Sequence, residues 1–112
     1  MFIHFTHKGQ MLIPTRYNDG SKIPSNVLDE IPMKLCEVFG RYNRDGYSEG
    51  AYKMDDGSIS KDRSARVWVA MNAEHVGKFK ELAGEFAAIL EQESICTEVM
   101  VADIRIVVPD QA

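Results

Sequence analysis

Val67-Trp68-Val69-Ala70-Met71-Asn72 and the residues that follow to Leu90 contain a change of apolar period, from two to about 3.6, that decides the fold. Val67, Val69 and Met71 share one face of a strand, while Arg66, Trp68 and Ala70 share the other. Beyond Asn72, which is placed to cap a helix, Val76, Phe79, Leu82, Ala83, Phe86, Ile89 and Leu90 line up as one broad apolar stripe. Lys78, Lys80, Glu81, Glu85 and Glu91 fall mainly on the opposite side of that helix.

Working back from this strand and helix, Asp55-Asp56-Gly57-Ser58 closes a hairpin whose outgoing strand is the aromatic run Tyr47 to Met54. The returning strand is expected to be irregular through Lys61-Asp62-Arg63, and Arg41 to Gly46 reads as a polar turn. A first helix precedes it. Asp29 is its expected cap, Pro32 is tolerable in its opening turn, and Ile31, Leu35, Val38 and Phe39 recur on one face before Gly40. Asn18-Asp19-Gly20-Ser21 is a turn. Residues 2–17 form a hairpin or a bent strand, since alternation runs to Lys8-Gly9 and Met11-Leu12-Ile13 follows before Pro14. At the other end, Ile95 to Val108 is β-branched and stops at Pro109.

The order β-α-β-β-α-β is that of an α+β, ferredoxin-like sandwich, with two helices on one face of an antiparallel sheet and an N-terminal strand or extension. Its 112 residues suit a single α+β domain over 1–112, which buries roughly 60–70% of the surface its unfolded chain exposes. With 45% hydrophobic and 27% charged residues the composition is that of a globular chain. The formal charge of −4, with no basic block, argues against nucleic acid as a partner. No segment approaches the roughly 20 apolar residues of a bilayer span, and Met1-Phe2-Ile3-His4-Phe5 has no basic leader, so a cytoplasmic protein without membrane contact is expected.

Helices on one face leave the sheet's reverse open, and that face should then be polar. Trp68 and the valines Val99, Val101 and Val107 break the alternation, which predicts an apolar reverse face and a homo-oligomer, as a twofold dimer through the sheet.

Motif matches are better explained by structure than by chemistry. Gly46-Tyr47-Ser48-Glu49-Gly50 spells a nucleophile elbow, but a helix precedes it and a strand contains it, the reverse of what an elbow at Ser48 needs. His4 and His7, three apart on a strand, point to opposite faces and share no metal, and His75 belongs to a helix surface. Cys36 and Cys96 lack paired spacing and read as buried free thiols. Asp55, Asp56 and Asp62 lack the spacing of a calcium loop. Gln92-Glu93 sits where acidic charge opposes the helix dipole, so it serves a solvated helix end or a bond to the next strand or a partner. Tyr42, Tyr47, Tyr52 and Trp68 lack the Gly-aromatic pattern of an RNA-stacking strand. No catalytic residue, metal or cofactor is assigned.

Leu12-Ile13-Pro14, Asp19-Gly20, Phe39-Gly40, Gly50-Ala51-Tyr52, Asp56-Gly57 and Gln92-Glu93-Ser94 together resemble the signature of small bacterial α+β proteins classed as a domain of unknown function. Arg41-Tyr42 departs from it where a second Gly is expected. The resemblance implies a compact bacterial domain and transfers no activity.

The expected function is a self-associating binding or interaction module. The alternatives are a small cofactor-independent enzyme, with Arg66, Glu49 and Tyr52 on paired strands as the residues to test, or a small-molecule sensor at the dimer or helix–sheet interface.

Overall fold

A computed structural model describes residues 1–110. Strand β1 (Phe2–Pro14) leads through a short helix α1 (Ser25–Leu28) into α2 (Glu30–Phe39). Strands β2 (Asn43–Lys53) and β3 (Ile59–Met71) follow as a hairpin, then a 3-10 turn (Ala73–His75), α3 (Val76–Ile89) and β4 (Thr97–Val107). The sheet order is β2-β3-β1-β4, antiparallel throughout, which is the ferredoxin-like arrangement. The N-terminal residues lengthen β1 and add no further strand. Among the described residues no helix is long and apolar enough to cross a membrane.

One layer of side chains joins sheet to helices. Gly9, Met11 and Ile13 of β1 lie across from Val69, Val67 and Ala65 of β3, and this face packs on Ile31 and Leu35 of α2 and on Phe79, Leu82 and Phe86 of α3. The periodic stripe of α3 is buried as its spacing predicts, except that Ile89 turns to solvent while Ala87 takes a buried place. Gly40 closes α2 in the left-handed conformation, φ 81°. Pro32 does fall in the opening turn of α2.

Several local expectations are corrected. Residues 2–14 are one continuous strand, because β1 finds partners on both sides and needs no fold-back; beyond it Arg16 and Lys22 bridge across the Asn18–Ser21 turn. Asp29 does not cap α2 with its side chain: α1 already turns helically from Ser25, so the Asp29 N–H bonds the Ser25 carbonyl and its backbone stays helical. Asn72 stands at the N-terminal boundary of the 3-10 turn with extended backbone, and its side chain makes no capping bond either. Lys61–Arg63 is regular strand. Arg41–Gly46 is not wholly a turn, because β2 begins at Asn43 and pairs with Trp68 before a bulge.

Two bulges set the faces of the sheet. Asp45-Gly46 of β2 opposes the single residue Arg66, and Ala102-Asp103 of β4 opposes Thr6. The second bulge disperses the expected valine row. Val99 faces the helices beside Gly9, Val101 lies beside His7 with 84% of its surface exposed, and Val107 reaches the far end beside Phe2. The middle of the reverse face therefore carries Lys8, Gln10, Arg66 and Glu98 around Trp68, Leu12 and Met100. It is mixed rather than apolar. Lys8 Nζ sits 4.6 Å above the Trp68 ring, whose Nε1–H donates to Asp45 Oδ2 at 2.9 Å.

The strands are also offset lengthwise. β3 pairs with β1 only from His7 to Pro14, so Phe2–Phe5 and Ile104–Val107 continue as a two-stranded ribbon at one end. At the other end Glu49–Lys53 and Ile59–Arg63 form a second two-stranded ribbon beyond β1. The molecule measures 63 × 28 × 23 Å, and its radius of gyration of 16.1 Å exceeds the about 13 Å expected of a compact chain this long.

Candidate functional site

A cleft of about 100 Å³ opens on the helix side of the sheet, between α1–α2 and the β2–β3 edge. Its floor is apolar, from Ile13, Ala65 and Val67 of the sheet and Leu28, Ile31 and Pro32 of the helices. The rim is polar: Asp29, Thr15, Tyr42, Arg44 and Tyr47.

The β2 bulge makes this rim. Arg44 and Tyr47 are three residues apart, so on a regular strand they would face opposite sides. With Asp45-Gly46 inserted against Arg66, Arg44 lies across from Val67 and Tyr47 across from Ala65, both on the helix face. Gly46 adopts φ 69°, a left-handed backbone that costs a residue with a β-carbon roughly 1–2 kcal/mol. The Arg63 guanidinium rests 4.5 Å over the Tyr47 ring and holds that side chain at the cleft's edge.

Charge at the rim is left unused within the chain. Among the described residues neither Arg44 nor Asp29 takes part in an ion pair, and the Asp29 carboxylate makes no hydrogen bond at the helix it precedes. The Thr15 hydroxyl is engaged, donating to the Arg63 carbonyl at 3.1 Å.

The residues singled out from sequence lie elsewhere, apart from Tyr42 and Tyr47. Glu49, Tyr52 and Arg66 do not converge: their strands pair, but Glu49 lies across from Arg63 on the helix side, Tyr52 across from Ser60 on the reverse side, and Arg66 six residues further along β3 from Ser60. Ser48 lies across from Ser64 within the strand pair. Cys36 and Cys96 are free but exposed, not buried: Cys36 is on the solvent side of α2, and Cys96 is in the coil before β4, where its carbonyl accepts the Leu12 N–H. Asp56 spends its carboxylate on the N–H and hydroxyl of Ser58, and those bonds hold it below the ordinary carboxylate range. Gln92 bonds the Leu90 carbonyl at 3.1 Å and reaches the Arg16 carbonyl, tying the end of α3 to the loop after β1. His75 lies exposed beside Glu74. Trp68 is on the reverse face and Tyr52 on a ribbon, so the aromatic residues build no common platform.

A second cluster closes the β1–β4 ribbon on the reverse face. Asp103 Oδ1 accepts from Arg105 Nε at 3.0 Å and lies 2.9 Å from His4 Nε2, while the Arg105 guanidinium covers the Phe2 ring at 4.7 Å. The Arg105 hydrogen bond, followed by the charges of Arg105 and His4, holds the Asp103 carboxyl below its usual range. All four side chains are substantially exposed.

No family model matches this chain, and no curated protein does. Solved structures do resemble it. A phage SAM lyase in complex with S-methyl-5'-thioadenosine matches with a TM-score of 0.67 at 14% identity, covering 92% of this chain and 90% of that one. The phage SAM lyase in its apo state matches with a TM-score of 0.66 at 12% identity, covering 96% and 94%. The divalent ion tolerance protein CutA1 from Ehrlichia chaffeensis matches with a TM-score of 0.59 at 11% identity, covering 88% and 82%. At such identities the likeness extends to the fold. The chain is thus a ferredoxin-like α+β protein with elongated ribbons and a small helix–sheet cleft.

Proposed function

We propose that this protein is a self-associating binding domain, assembled from copies of itself and holding a small molecule in the Arg44 cleft. The observation that carries the assembly is the pair of unsupported ribbons. A two-stranded ribbon alone is marginally stable in water, yet here Phe2, Ile3 and Val107 at one end, and Tyr52, Met54 and Ile59 at the other, are exposed large apolar side chains. A second copy laid against a ribbon removes that surface from water and satisfies the open strand edges. The simplest such assembly is a twofold dimer.

Light scattering on the eluting protein at micromolar concentration tests the assembly. The expected mass is a multiple of the single chain, reduced toward one chain by Ile59→Lys together with Val107→Lys. A single-chain mass for the unaltered protein would overturn it.

A second reading is catalysis on S-adenosylmethionine, and it is supported by the 92% coverage of this chain in the likeness to the phage SAM lyase. Incubation of the protein with S-adenosylmethionine, followed by mass spectrometry, is expected on this reading to release S-methyl-5'-thioadenosine. Substrate that decays only at the buffer rate excludes it.

A further inference from the structure

We infer that the cleft between α2 and the β2–β3 edge is a site for a free apolar α-amino acid, of about the size of leucine or methionine. The inference rests on the cleft being a binding site and is independent of self-association.

Three features select this ligand class. First, Arg44 and Asp29 line the same void, carry opposite charges, and are not paired with each other or with any other described residue. Both charges are therefore available to a molecule in the cleft that bears the two opposite charges itself. A carboxylate accepts the Arg44 fork, and an ammonium donates to the Asp29 carboxylate. An anion alone would leave Asp29 repelling it, and a cation alone would meet Arg44.

Second, the floor below the charged rim is wholly apolar, with Ile13, Ile31, Ala65 and Val67 on it. That surface gains by contact with a hydrocarbon and would leave a polar side chain unsatisfied. Third, the size fits. A void of about 100 Å³ is the share of roughly three or four water molecules at about 30 Å³ each, room for about as many non-hydrogen atoms. That is the side chain of valine, leucine or methionine, with the charged head group left at the open rim. The exposed rings of Tyr42 and Tyr47 flank that head group.

NMR titration of the full-length protein with L-leucine and L-methionine tests the site. Both are expected to shift the amides of Asp29, Arg44 and Tyr47 saturably. N-acetyl-L-methionine, which lacks the ammonium, and L-methionine methyl ester, which lacks the carboxylate, should each bind about tenfold more weakly or worse. Arg44→Gln and Asp29→Asn alter exposed side chains and leave the core intact, and each should cause a similar loss. L-glutamate and L-lysine should not bind. Absence of shifts at millimolar leucine and methionine overturns the inference, as does equal binding of the blocked compounds or indifference to both substitutions. Light scattering on the same samples separates this result from that for assembly.

Discussion

The ring of Phe79 occupies the space that a β-carbon on Gly9 would need: built there, that carbon comes within 2.9 Å of two ring atoms and 2.7 Å of Met71 Cε. The Met71 methyl ends a flexible chain and can move aside. Phe79 cannot, being fully buried and packed edge-on against Phe39 at a centroid distance of 6.1 Å. Alanine is intrinsically the better strand residue by about 0.5–1 kcal/mol, but overpacking a filled core costs about 1–3 kcal/mol. Gly9→Ala is therefore expected to destabilise the fold, seen as a lower urea midpoint with an unchanged slope. Adding Phe79→Leu should recover part of the loss, since the two positions share one space. A midpoint at or above that of the unaltered protein would contradict the packing described.

Trp68 is the only tryptophan, so its emission reports on the reverse face without ambiguity. Its indole N–H is bound by Asp45 and its ring covered by Lys8. Asp45→Ala removes a bond to a charged acceptor, for a loss of roughly 1–2 kcal/mol with partial exposure, and Lys8→Ala removes a contact of about 0.5–1 kcal/mol. Both are expected to shift the emission to the red and raise acrylamide quenching. Unaltered fluorescence in the two variants would mean that neither contact persists in solution.

The fold was legible wherever a pattern repeats. The α3 stripe from Phe79 to Phe86 is read correctly because a helix samples its buried face every three or four residues. Asp56-Gly57-Ser58 is likewise a turn whose chemistry is local, the carboxylate of Asp56 closing on Ser58. Single insertions are different. Asp45-Gly46 has the composition of a turn, yet it bulges a strand that continues on both sides. Ala102-Asp103 lies within a β-branched run that announces no break. Each bulge reverses the face of all residues beyond it, which parts Val107 from Val99 and Val101 and brings Arg44 and Tyr47 to one face. The available signal was a glycine between strand residues, a mark of bulges as well as of turns. The caps failed for another reason: Asp29 lies in backbone that α1 has already made helical, and the His75 N–H that the Asn72 side chain could serve bonds the Asn72 carbonyl.

Acid sensitivity follows from three carboxylates held below their ordinary range: Asp103 by the Arg105 bond, Asp19 by Ser21, and Asp56 by Ser58. A depressed folded-state pKa means that the charged form is favoured by folding. The associated stability is present above the unfolded-state value, near 3.9, and is lost as pH falls through the folded-state value. Arg105→Gln should raise the Asp103 titration midpoint toward the ordinary range, and Ser58→Ala should do the same for Asp56. Carboxyl-detected NMR titration gives each midpoint separately. Both variants should begin acid unfolding at a slightly higher pH, and an unmoved Asp103 midpoint in Arg105→Gln would rule out the assigned cause.

Gly46 joins backbone geometry to the cleft. At φ 69° with nothing within 4 Å of where its β-carbon would be, it is constrained by backbone conformation and not by space. Gly46→Ala is therefore expected to cost about 1–2 kcal/mol while leaving the cleft assembled, so that leucine binds about as well as before once the protein is folded. Deleting Gly46 removes the bulge. The strand would pair without its extra residue: Asp45 alone would oppose Arg66, Tyr47 would stay across from Ala65 on the helix side, and the cleft would keep both walls. Contacts between the Tyr47 ring and the methyl groups of Ala65 and Val67, measured by nuclear Overhauser effects, should survive both in Gly46→Ala and in the deletion. Their loss in the deletion would show that pairing with Ala65 is not what holds Tyr47 on the helix side.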